Sequence, residues 1–463
     1  MVDILKVNDC FNYKKPKNHL IENGTLLPSA NVFYKSHAEL VDYTLNCIND
    51  CKNLLKVQED QIKLLNRALK SESELIEYNP LEEVDNTIKA KEDKMPKIDL
   101  DSSRILYHVD TLKKWNNGEK VFPIAIDMCL SRFCQYNCVY CYGKLQKNEG
   151  ENITWEVAKN FLDDCKELGV KAISLVSDNE STCNPIYKDF IVYCKELGID
   201  VALGSNGHLL DKKALETIIP RLTYLRFNIS AGTKDRYAYI HGVPESYFDT
   251  ITKNIDNAVK IKEMGGHACS IGTQMVLMPE FKDDIIPLAQ YAIDRGVDYL
   301  VIKHCSDSET SELGVDYSKY EALETTLKEA ESMSTPKTAI VVKWSKIRAG
   351  NTRDYERCYG PSLHLQISGT GLCAPCGFLF NDRYKDKFHI GNFCTTRFKD
   401  ILNSDRYTEV MNYLASEEFV AGRDCGFQCM QTLSNSILDK IKKGSIDISN
   451  LEQKEIPTGF NFI

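Results

Sequence analysis

Short apolar runs alternate with amphipathic stretches through the middle of the chain. The runs predict buried strands, and the stretches, in which apolar residues recur every three or four positions, predict helices. Strands are predicted at 121–128, 171–177, 200–204, 224–230, 268–278 and 299–303, and helices at 154–168, 190–197, 214–219, 247–264 and 283–296. Strands that alternate with helices require right-handed crossovers and a parallel sheet. The pattern predicts an α/β fold built on a partial (β/α)6 barrel, with chemistry on the loops that follow the strands.

The first 105 residues carry a different pattern, in which one apolar stripe follows a long predicted helix. Apolar residues recur there every seven positions, at Val41, Ile48, Leu55, Ile62 and Leu69. A helix packed on its own chain is favoured over a coiled-coil dimer, because Thr44 and Gln58 occupy the second seam position. Cys47 and Cys51 lie one turn apart on this predicted helix. We interpret them as buried structural cysteines, with half of a metal site as the alternative. The charged stretch 89–97 predicts a linker.

The last third of the chain predicts a smaller, mixed region. A helical stretch at 317–333 and a strand at 338–344 come first, and a final helix spans 433–443 before the apolar end G-F-N-F-I. We expect that end to be docked, over the barrel or by simple packing. The predicted domains are an N-terminal helical region, the barrel, and a C-terminal domain with the tail, at 1–105, 106–320 and 321–463.

Composition narrows the class of protein. With 463 residues, 43% hydrophobic and 27% charged, the chain has the make-up of a soluble protein with a large core. No apolar run is long enough for a transmembrane helix, and the first residues do not resemble a signal peptide. A net charge of −9 argues against a nucleic-acid binder. Eighteen cysteines without an export signal indicate a reducing cytoplasm, where close cysteines are more often metal ligands than disulfides.

One loop concentrates the candidate metal ligands. In C-L-S-R-F-C-Q-Y-N-C-V-Y-C-Y-G, Cys134, Cys138 and Cys141 are separated by three residues and then by two. Clustered thiolates favour an iron–sulfur cluster or zinc. Zinc needs a fourth ligand, and Cys129 could serve, but it lies at the end of a predicted strand. Three thiolates on a 4Fe–4S cluster leave one iron without a protein ligand.

The spacing C-x3-C-x2-C, with Tyr140 before the last cysteine, resembles the signature of the radical SAM superfamily. The resemblance implies a TIM-like partial barrel and a 4Fe–4S cluster held by the three cysteines. It further implies that the open iron binds S-adenosylmethionine (SAM). Reductive cleavage of SAM then yields a 5′-deoxyadenosyl radical, which abstracts hydrogen from the substrate, while the protein orients the reactants and excludes water.

Three further motifs resemble the SAM-binding segments of this family. S-D-N-E-S-T-C-N-P resembles the G-G-E region and places Glu180 where the family binds the methionine ammonium, a contact suited to a carboxylate. G-S-N-G resembles the T-N-G turn and would bring Ser205 and Asn206 to the SAM carboxylate or ribose. N-I-S-A-G resembles the ribose-binding segment, with Asn228 and Ser230 facing the hydroxyls. Tyr140 completes the expected cofactor contacts.

Several other residues have less specific signals. His241 stands in I-H-G where relatives often carry I-R-G, either as a replacement contact or as a structural histidine. Gln274 and Met275 occupy the adenine-contacting positions of the family, or pack as part of an apolar strand. The predicted catalytic residues at the mouth of the barrel are Lys303, His304 and Cys305. They would bind an acidic substrate group, move a proton or donate hydrogen to a substrate radical.

A second group of cysteines follows in the last third. The spacing C-x12-G-x4-C from Cys358 through Gly371 to Cys376 resembles the SPASM/twitch extension of radical SAM enzymes. The resemblance implies a C-terminal β-hairpin and helix domain that binds one auxiliary 4Fe–4S cluster, held by Cys358, Cys376, Cys425 and Cys429. Cys373 and Cys394 are additional, and a zinc site made by the same four cysteines is the rival interpretation.

The sequence therefore predicts a radical SAM enzyme of the oxidoreductase or lyase type. The expected substrate is a small sugar-like, cyclitol or nucleotide molecule, because a single auxiliary cluster resembles the twitch form. A peptide-modifying SPASM-type maturase is the alternative, and a non-catalytic iron–sulfur or zinc scaffold protein is the second alternative. Reduced flavodoxin or ferredoxin is the expected electron donor, and no membrane or nucleic-acid partner is expected.

Overall fold

The structure is a computed structural model that describes residues 21–22, 25–26, 102–308, 310–349, 353–426 and 429–463. It divides into two units, Met1–Asn86 and Thr87–Ile463. In the first unit, the described residues form an antiparallel pair of strands, Ile21–Glu22 and Thr25–Leu26. The predicted stripe helix, Cys47, Cys51 and the predicted linker at 89–97 lie outside the described residues.

A ten-stranded sheet forms the centre of the second unit. Its strands are β1 Ala125–Met128, β2 Ala172–Leu175, β3 Asp200–Ser205, β4 Tyr224–Asn228, β5 Ser270–Leu277, β6 Tyr299–His304, β7 Ala339–Val342, β8 His364–Ile367, β9 Leu372–Ala374 and β10 Gly391–Asn392. Their order across the sheet is β10-β9-β8-β1-β2-β3-β4-β5-β6-β7. The pairs of β9 with β8 and with β10 are antiparallel, and all other neighbours are parallel.

Helices connect the parallel strands and cover the sheet. They are α1 Val109–Asn116, α2 Trp155–Leu168, α3 Tyr187–Glu196, α4 Lys212–Ile218, α5 Lys234–His241, α6 Ser246–Gly265, α7 Ile285–Arg295, α8 Glu324–Ser332, α9 Trp344–Ala349, α10 Lys385–Phe388, α11 Phe398–Asn403, α12 Asp405–Ala415 and α13 Thr432–Lys442. The sequence sets their ends: Thr154 caps α2 by accepting a hydrogen bond from Val157 N at 3.4 Å. Similarly, Asp211 caps α4 by accepting from Ala214 N at 2.8 Å.

The predicted alternation of strands and helices is confirmed. Each of β1 to β6 falls on a predicted strand, and their mostly apolar buried residues explain why the runs were visible in the sequence. The strand predicted at 121–128 begins only at Ala125, because Pro123 has no N–H for the ladder. The sheet ends at β10 and β7, so β1 to β6 form an open, partial barrel. None of the described helices is both long and apolar enough to cross a membrane.

Two elements of the last third extend this sheet. The strand predicted at 338–344 is β7 and pairs in parallel with β6, with Ala339 opposite Tyr299. On the other edge, β8 pairs in parallel with β1, with His364 opposite Ala125. The predicted β-hairpin, β8 with β9, is therefore continuous with the barrel strands.

The apolar end of the sequence lies at the amino-terminal ends of the first barrel strands. Phe462 packs in one cluster with Ala125, Ala172 and Ala202, and its ring meets Tyr224 edge-on at 5.2 Å between centroids. These small side chains leave the room that the aromatic ring fills. The opposite, carboxyl-terminal ends of the strands remain for the functional site.

Candidate functional site

A cavity of about 240 Å³ lies at the carboxyl ends of the barrel strands. From the loop after β1, its wall receives Cys134, Cys138, Cys141 and Tyr140. The later loops and strands add the predicted residues Glu180, Asn206, Asn228, Lys303 and His304. Three other predicted residues, Ser205, Ser230 and Cys305, are fully buried behind this wall. The structure thus brings the first cysteine group and most of the predicted cofactor contacts together.

The cysteine loop is held against the end of α5. Asn137 N donates to His241 O at 3.1 Å, and Val139 N donates to Ile240 O at 2.9 Å. Gly242 ends the helix with a φ of 62°, and a β-carbon at this position would meet the Asn137 backbone. Only glycine combines that backbone conformation with so close an approach. The I-H-G segment therefore fixes the loop that carries the cysteines.

The three thiols are grouped in a setting that disfavours bare thiolates. Burial raises the pKa of Cys134 to about 12, and the nearby acid Glu180 and thiol of Cys141 add to this. Burial also raises the pKa of Cys138, again with both neighbouring thiols adding. Bound metal supplies the positive charge that such a group needs to ionise. Three thiols on one cavity wall, with open space before them, fit a cluster with one iron free for a ligand.

The described ranges contain no group of three or more His, Cys, Asp or Glu side chains arranged around a single metal ion. Cys129, considered as a fourth ligand, is buried below the loop, where Ser181 Oγ donates to its sulfur at 3.5 Å. Its own thiol points to Ser131 O, also at 3.5 Å. Cys129, directly after β1, therefore makes its contacts below the loop and does not line the cavity with the trio.

His241 contacts the cysteine loop from behind. Its Nδ1 lies 3.3 Å from Cys138 Sγ and 3.4 Å from Tyr140 Oη. On the other side of the ring, Nε2 lies 3.0 Å from Ser230 N. Burial lowers the pKa of His241 to about 3, so the ring is neutral at physiological pH. The histidine therefore bridges the loop and the end of β4 as a neutral hydrogen-bonding group.

Glu180 is a buried carboxylate fixed by four hydrogen bonds. Its Oε1 accepts from Thr182 N at 3.2 Å, Thr182 Oγ1 at 2.7 Å and Ser205 Oγ at 2.8 Å. Its Oε2 accepts from Asn206 N at 2.8 Å. Burial raises the pKa of Glu180, and these hydrogen bonds oppose the shift. Ser205 thus orients Glu180 from behind, and Oε2 keeps a lone pair for a ligand in the cavity.

Two amides continue the wall beside Glu180. Asn206 Nδ2 lies 3.8 Å from Cys134 Sγ, and its Oδ1 accepts from Gln135 Nε2 at 3.2 Å. Asn228 Oδ1 accepts from Gln274 Nε2 at 3.1 Å, and both of these side chains line the cavity. Met275, the neighbour of Gln274, is fully buried in the core. Gln274 is thus the member of that pair placed to touch a ligand.

Only two of the three predicted catalytic residues at the end of β6 face the cavity. Lys303 and His304 line the cavity, and Ser306, which the sequence did not single out, lines it as well. Cys305 instead points at Tyr140 O, 3.6 Å away, and burial raises the pKa of its thiol to about 12. Burial lowers the pKa of Lys303 well below its usual range, and the nearby cation Arg226 adds to the shift. Cys305 therefore supports the cysteine loop rather than facing the cavity.

The second cysteine group is also gathered. Cys358 lies within electrostatic range of the thiols of the other three members, Cys376, Cys425 and Cys429. Burial is the main cause of the raised pKa of Cys358, and the neighbouring thiols add to it. As in the first group, a bound metal centre would supply the missing positive charge.

Two residues that the sequence did not single out contact the second group. Asn435 Nδ2 lies 3.6 Å from Cys358 Sγ and 3.7 Å from Cys429 Sγ, and its Oδ1 accepts from Gly360 N at 2.8 Å. Arg353 Nη1 lies 3.3 Å from Cys425 Sγ. Both are sulfur-directed donors that come from outside the cysteine motifs, so spacing alone could not reveal them.

The extra cysteines are set apart from this group. Cys373 interacts electrostatically with Cys394, and the Cys394 thiol points at Thr370 O, 3.8 Å away. The four thiols of the second group, which includes Cys358, interact with one another instead. The structure therefore groups the same four cysteines that the sequence selected.

One cavity is lined by the first cysteine group and by chain neighbours of two members of the second. Besides the first trio, its lining includes Gly377, Phe378 and Met430. Gly377 directly follows Cys376, and Met430 directly follows Cys429. Asp178, Arg226 and Gln366, all polar and none proposed from the sequence, line the space between. A molecule bound here would lie beside the first group and within reach of the segments that carry the second.

Family comparisons agree with the two cysteine groups. Residues 128–292 match the Radical SAM superfamily, and residues 358–430 match SPASM, an iron–sulfur cluster-binding domain. The first range contains the cysteine loop, Glu180, Asn206 and Asn228, and the second begins at Cys358. The sequence-based identification of both modules is confirmed.

Individual relatives are distant. SuiB of Streptococcus suis gives a TM-score of 0.50 at 16% identity, covering 77% of this chain and 78% of SuiB. AnSMEcpe with bound AdoMet gives 0.46 at 14% identity, covering 68% of this chain and 88% of that one. A tungsten-containing aldehyde ferredoxin oxidoreductase cofactor-modifying protein of Pyrococcus furiosus is 22% identical over 176 residues, or 37% of this chain. The chain spans about half of that relative, 48% of its length. At 16% identity the likeness to SuiB bears on the fold alone.

Proposed function

We propose that this chain, which belongs to the radical SAM superfamily and carries a SPASM domain, abstracts hydrogen from a peptide substrate. Members of the superfamily are enzymes, and the two domains imply a SAM-binding 4Fe–4S cluster and auxiliary iron–sulfur binding. The single observation that carries the proposal is the cavity lined by the first cysteine trio and by Gly377 and Met430, the chain neighbours of two cysteines of the second group. The proposed reaction type is an oxidation, because a second redox centre beside the substrate can accept an electron.

The residues proposed to hold the first cluster are Cys134, Cys138 and Cys141. When bound, the cluster and SAM supply the 5′-deoxyadenosyl radical that removes a hydrogen atom from the substrate. The protein's part is to place the thiols on one wall, through the contacts of the loop with the end of α5. His241, which is fully buried, supports Cys138 from behind.

Glu180, Asn206 and Asn228 are proposed to hold SAM in the cavity. A carboxylate with a lone pair on Oε2 suits the methionine ammonium, and the buried setting strengthens such a contact. The two amides offer donors and acceptors to the carboxylate and the ribose. Ser205 and Ser230 act as positioning residues, because they are buried behind the wall and hydrogen-bond Glu180 Oε1 and Val276 N.

One auxiliary 4Fe–4S cluster is proposed for Cys358, Cys376, Cys425 and Cys429. Four thiols satisfy all four irons of such a cluster, so this centre would bind no substrate directly. Asn435 and Arg353 point donors at three of the sulfurs. Donors at those positions stabilise the negative charge of the cluster and make it a better electron acceptor. Such a cluster would accept the electron of the substrate radical, whose proton would leave to solvent, and reduced flavodoxin or ferredoxin would donate an electron to the first cluster.

A peptide substrate now has more support than the sugar-like or cyclitol molecule favoured from the sequence. SuiB has also been solved bound to the precursor peptide SuiA, and anSMEcpe with AdoMet and a peptide. The cavity wall adds polar and aromatic groups suited to a side chain, among them Gln366 and Phe378. The test below distinguishes a peptide substrate from a small-molecule substrate.

The test is SAM cleavage by the anaerobically reconstituted, dithionite-reduced protein. We expect 5′-deoxyadenosine from the wild type, none above background from Cys134→Ala, and a wild-type yield from Cys394→Ala, since Cys394 lies outside both groups. Absence of 5′-deoxyadenosine from wild-type protein that holds its iron would leave only the scaffold interpretation. Deuterium transfer into 5′-deoxyadenosine from labelled peptide fractions, but not from labelled small-molecule fractions, would identify the substrate class.

A further inference from the structure

Three cationic side chains converge inside the barrel, beneath the cysteine loop. Arg226 lies on β4, Lys303 on β6 and Lys346 on α9, and all three are half-buried. Arg226 and Lys303 line the cavity at the carboxyl ends of the barrel strands. Lys346 interacts electrostatically with both of them, and each contact is repulsive. The barrel thus holds a concentrated positive charge next to its functional cavity.

No described acidic side chain forms an ion pair with any of the three. Arg226 Nε is buried without a hydrogen-bond partner among the described residues. Lys346 is attracted by the thiol of Cys429 and then by Asp127, which lies 3.3 Å from His364 Nε2 and accepts from Gln366 Nε2 at 3.4 Å. Charges removed from water are normally paired, because unpaired ones lose hydration without compensation. Arg226 and Lys303 line the cavity and have no ion-pair partner among the described residues, so they are placed to take an anion from a ligand.

The position of Arg226 is built into the sheet. Arg226 stands opposite Gly204 of β3, and a β-carbon at residue 204 would lie 3.3 Å from Arg226 Nη2. On its other side, the guanidinium lies 6.0 Å from the Tyr224 ring centroid. A guanidinium fixed in this way presents several N–H donors in one plane, which suits a carboxylate. The absent side chain at Gly204 leaves room for that plane.

We propose that Arg226 and Lys303 form a carboxylate-binding site that anchors the substrate inside the barrel, with Lys346 adding positive charge near them. This inference deepens the proposed function and rests on it for the identity of the bound molecule as a peptide. The carboxylate would come from an acidic side chain or from a peptide terminus, which share the same chemistry. The cysteine trio, Phe378 and Met430 line the same cavity, so a substrate anchored there would share the cavity with the first cluster.

The test measures binding by calorimetry on the reconstituted protein with SAM and no reductant, so it does not depend on turnover. The probes are N-acetylglutamate α-methylamide for a side-chain carboxylate, N-acetylglycine for a terminal one, and N-acetylglutamine methylamide as the neutral isostere. We expect saturable binding of at least one carboxylate and at least tenfold weaker binding of the neutral probe. The better carboxylate identifies the source. The proposal is overturned if all three probes bind equally well, or if none of them binds.

Two variants locate the site, and a third is their control. Lys303→Met and Arg226→Gln should each weaken carboxylate binding at least tenfold, and Lys212→Gln, on the exposed surface of α4, should not. SAM affinity should change less than twofold in all three. An equal loss of SAM affinity in the two site variants would assign the cations to the SAM carboxylate and overturn the proposal. Absence of 5′-deoxyadenosine with intact carboxylate binding would instead count against the proposed function alone.

Discussion

At the scale of single residues, His241 links the cysteine loop to the barrel through both ring nitrogens. The Ser230 N–H can only donate, so Nε2 accepts, and the proton of the neutral ring must lie on Nδ1. Nδ1 faces Cys138 Sγ at 3.3 Å and Tyr140 Oη at 3.4 Å, so its proton is directed at both groups. A donor at a cluster sulfur stabilises the reduced, more negative cluster and raises its reduction potential. The histidine therefore supports the loop, and we propose that it also raises the potential of a cluster held by Cys138.

Replacing His241 by Phe keeps an aromatic ring but removes both hydrogen bonds. We expect the reduction potential of the first cluster to become more negative, as measured by an EPR-monitored redox titration of the reconstituted variant. The buried Ser230 N–H would lose its acceptor, at a cost of about 1–3 kcal/mol in unfolding free energy.

His267→Phe is the matched control, because His267 lies on the loop after α6 and contacts neither the cysteines nor Ser230 in any described hydrogen bond. It should leave the potential at the wild-type value. If His241→Phe also leaves the potential unchanged while retaining its iron, the ring is only a packing group and the proposed Nδ1–H donation to sulfur is wrong.

At the scale of elements, the last residues of the sequence pack against the amino-terminal ends of the first barrel strands. Phe462 fills the space next to three alanines of β1, β2 and β3. The segment is tied down by Arg104 Nη1, which donates to Gly459 O and Phe462 O at 3.2 Å, and by Asn461 Nδ2, which donates to Asp200 Oδ2 at 2.7 Å. The tail is therefore a structural part of the sheet rather than a cover of the cavity.

Phe462→Ala should destabilise the protein without changing the site directly. Removing a buried ring leaves a void among alanines that cannot close, at a cost of roughly 3 kcal/mol. A lowered thermal midpoint of the reconstituted protein, monitored by far-UV circular dichroism, would show this. Met264→Ala is the comparison, since Met264 is 78% exposed and should change the midpoint little. Equal midpoints for Phe462→Ala and wild type would mean that the tail does not contribute to stability.

The sequence predicted the barrel strands well because each of them contains a short apolar run, even where a polar residue such as Arg226 interrupts it. It missed α5, Lys234–His241, because K-D-R-Y-A-Y-I-H has no clear apolar stripe. The first cysteine group was recognisable because its members lie close together in the chain, whereas the second spans residues 358–429 and was identified only through its resemblance to the SPASM/twitch spacing. Arg226, Arg353 and Asn435 were not predictable, because their roles depend on which strands and loops become neighbours. Cys305, predicted at the mouth of the barrel, lies behind a cavity wall that is lined by Lys303, His304 and Ser306.

At the scale of the whole second unit, one sheet carries both cysteine groups. The loop after β1 bears the trio, and Cys376 follows β9, two strands away through β8. Asp178, in the loop after β2, accepts from Gly369 N at 3.0 Å in the turn between β8 and β9. A second tie is Tyr142 Oη, which donates to Phe378 O at 3.3 Å. Because these contacts cross between the two groups, the distance between them is set by the sheet and not by a separate linker.

This shared frame predicts that the two groups can be separated functionally by mutation. Cys376→Ala removes one thiol of the second group and leaves the cavity wall at Cys134, Cys138 and Cys141 intact. We expect the variant to form 5′-deoxyadenosine still, but to convert the peptide substrate at least about tenfold more slowly, a loss typical of damage to a metal site. Cys134→Ala should lose both activities, so the pair distinguishes radical generation from substrate oxidation. Wild-type peptide conversion by Cys376→Ala, with iron analysis showing one cluster lost, would mean that the second group has no part in turnover. Loss of 5′-deoxyadenosine by a Cys376→Ala protein that keeps its first cluster would instead mean that the second group is required for radical generation itself.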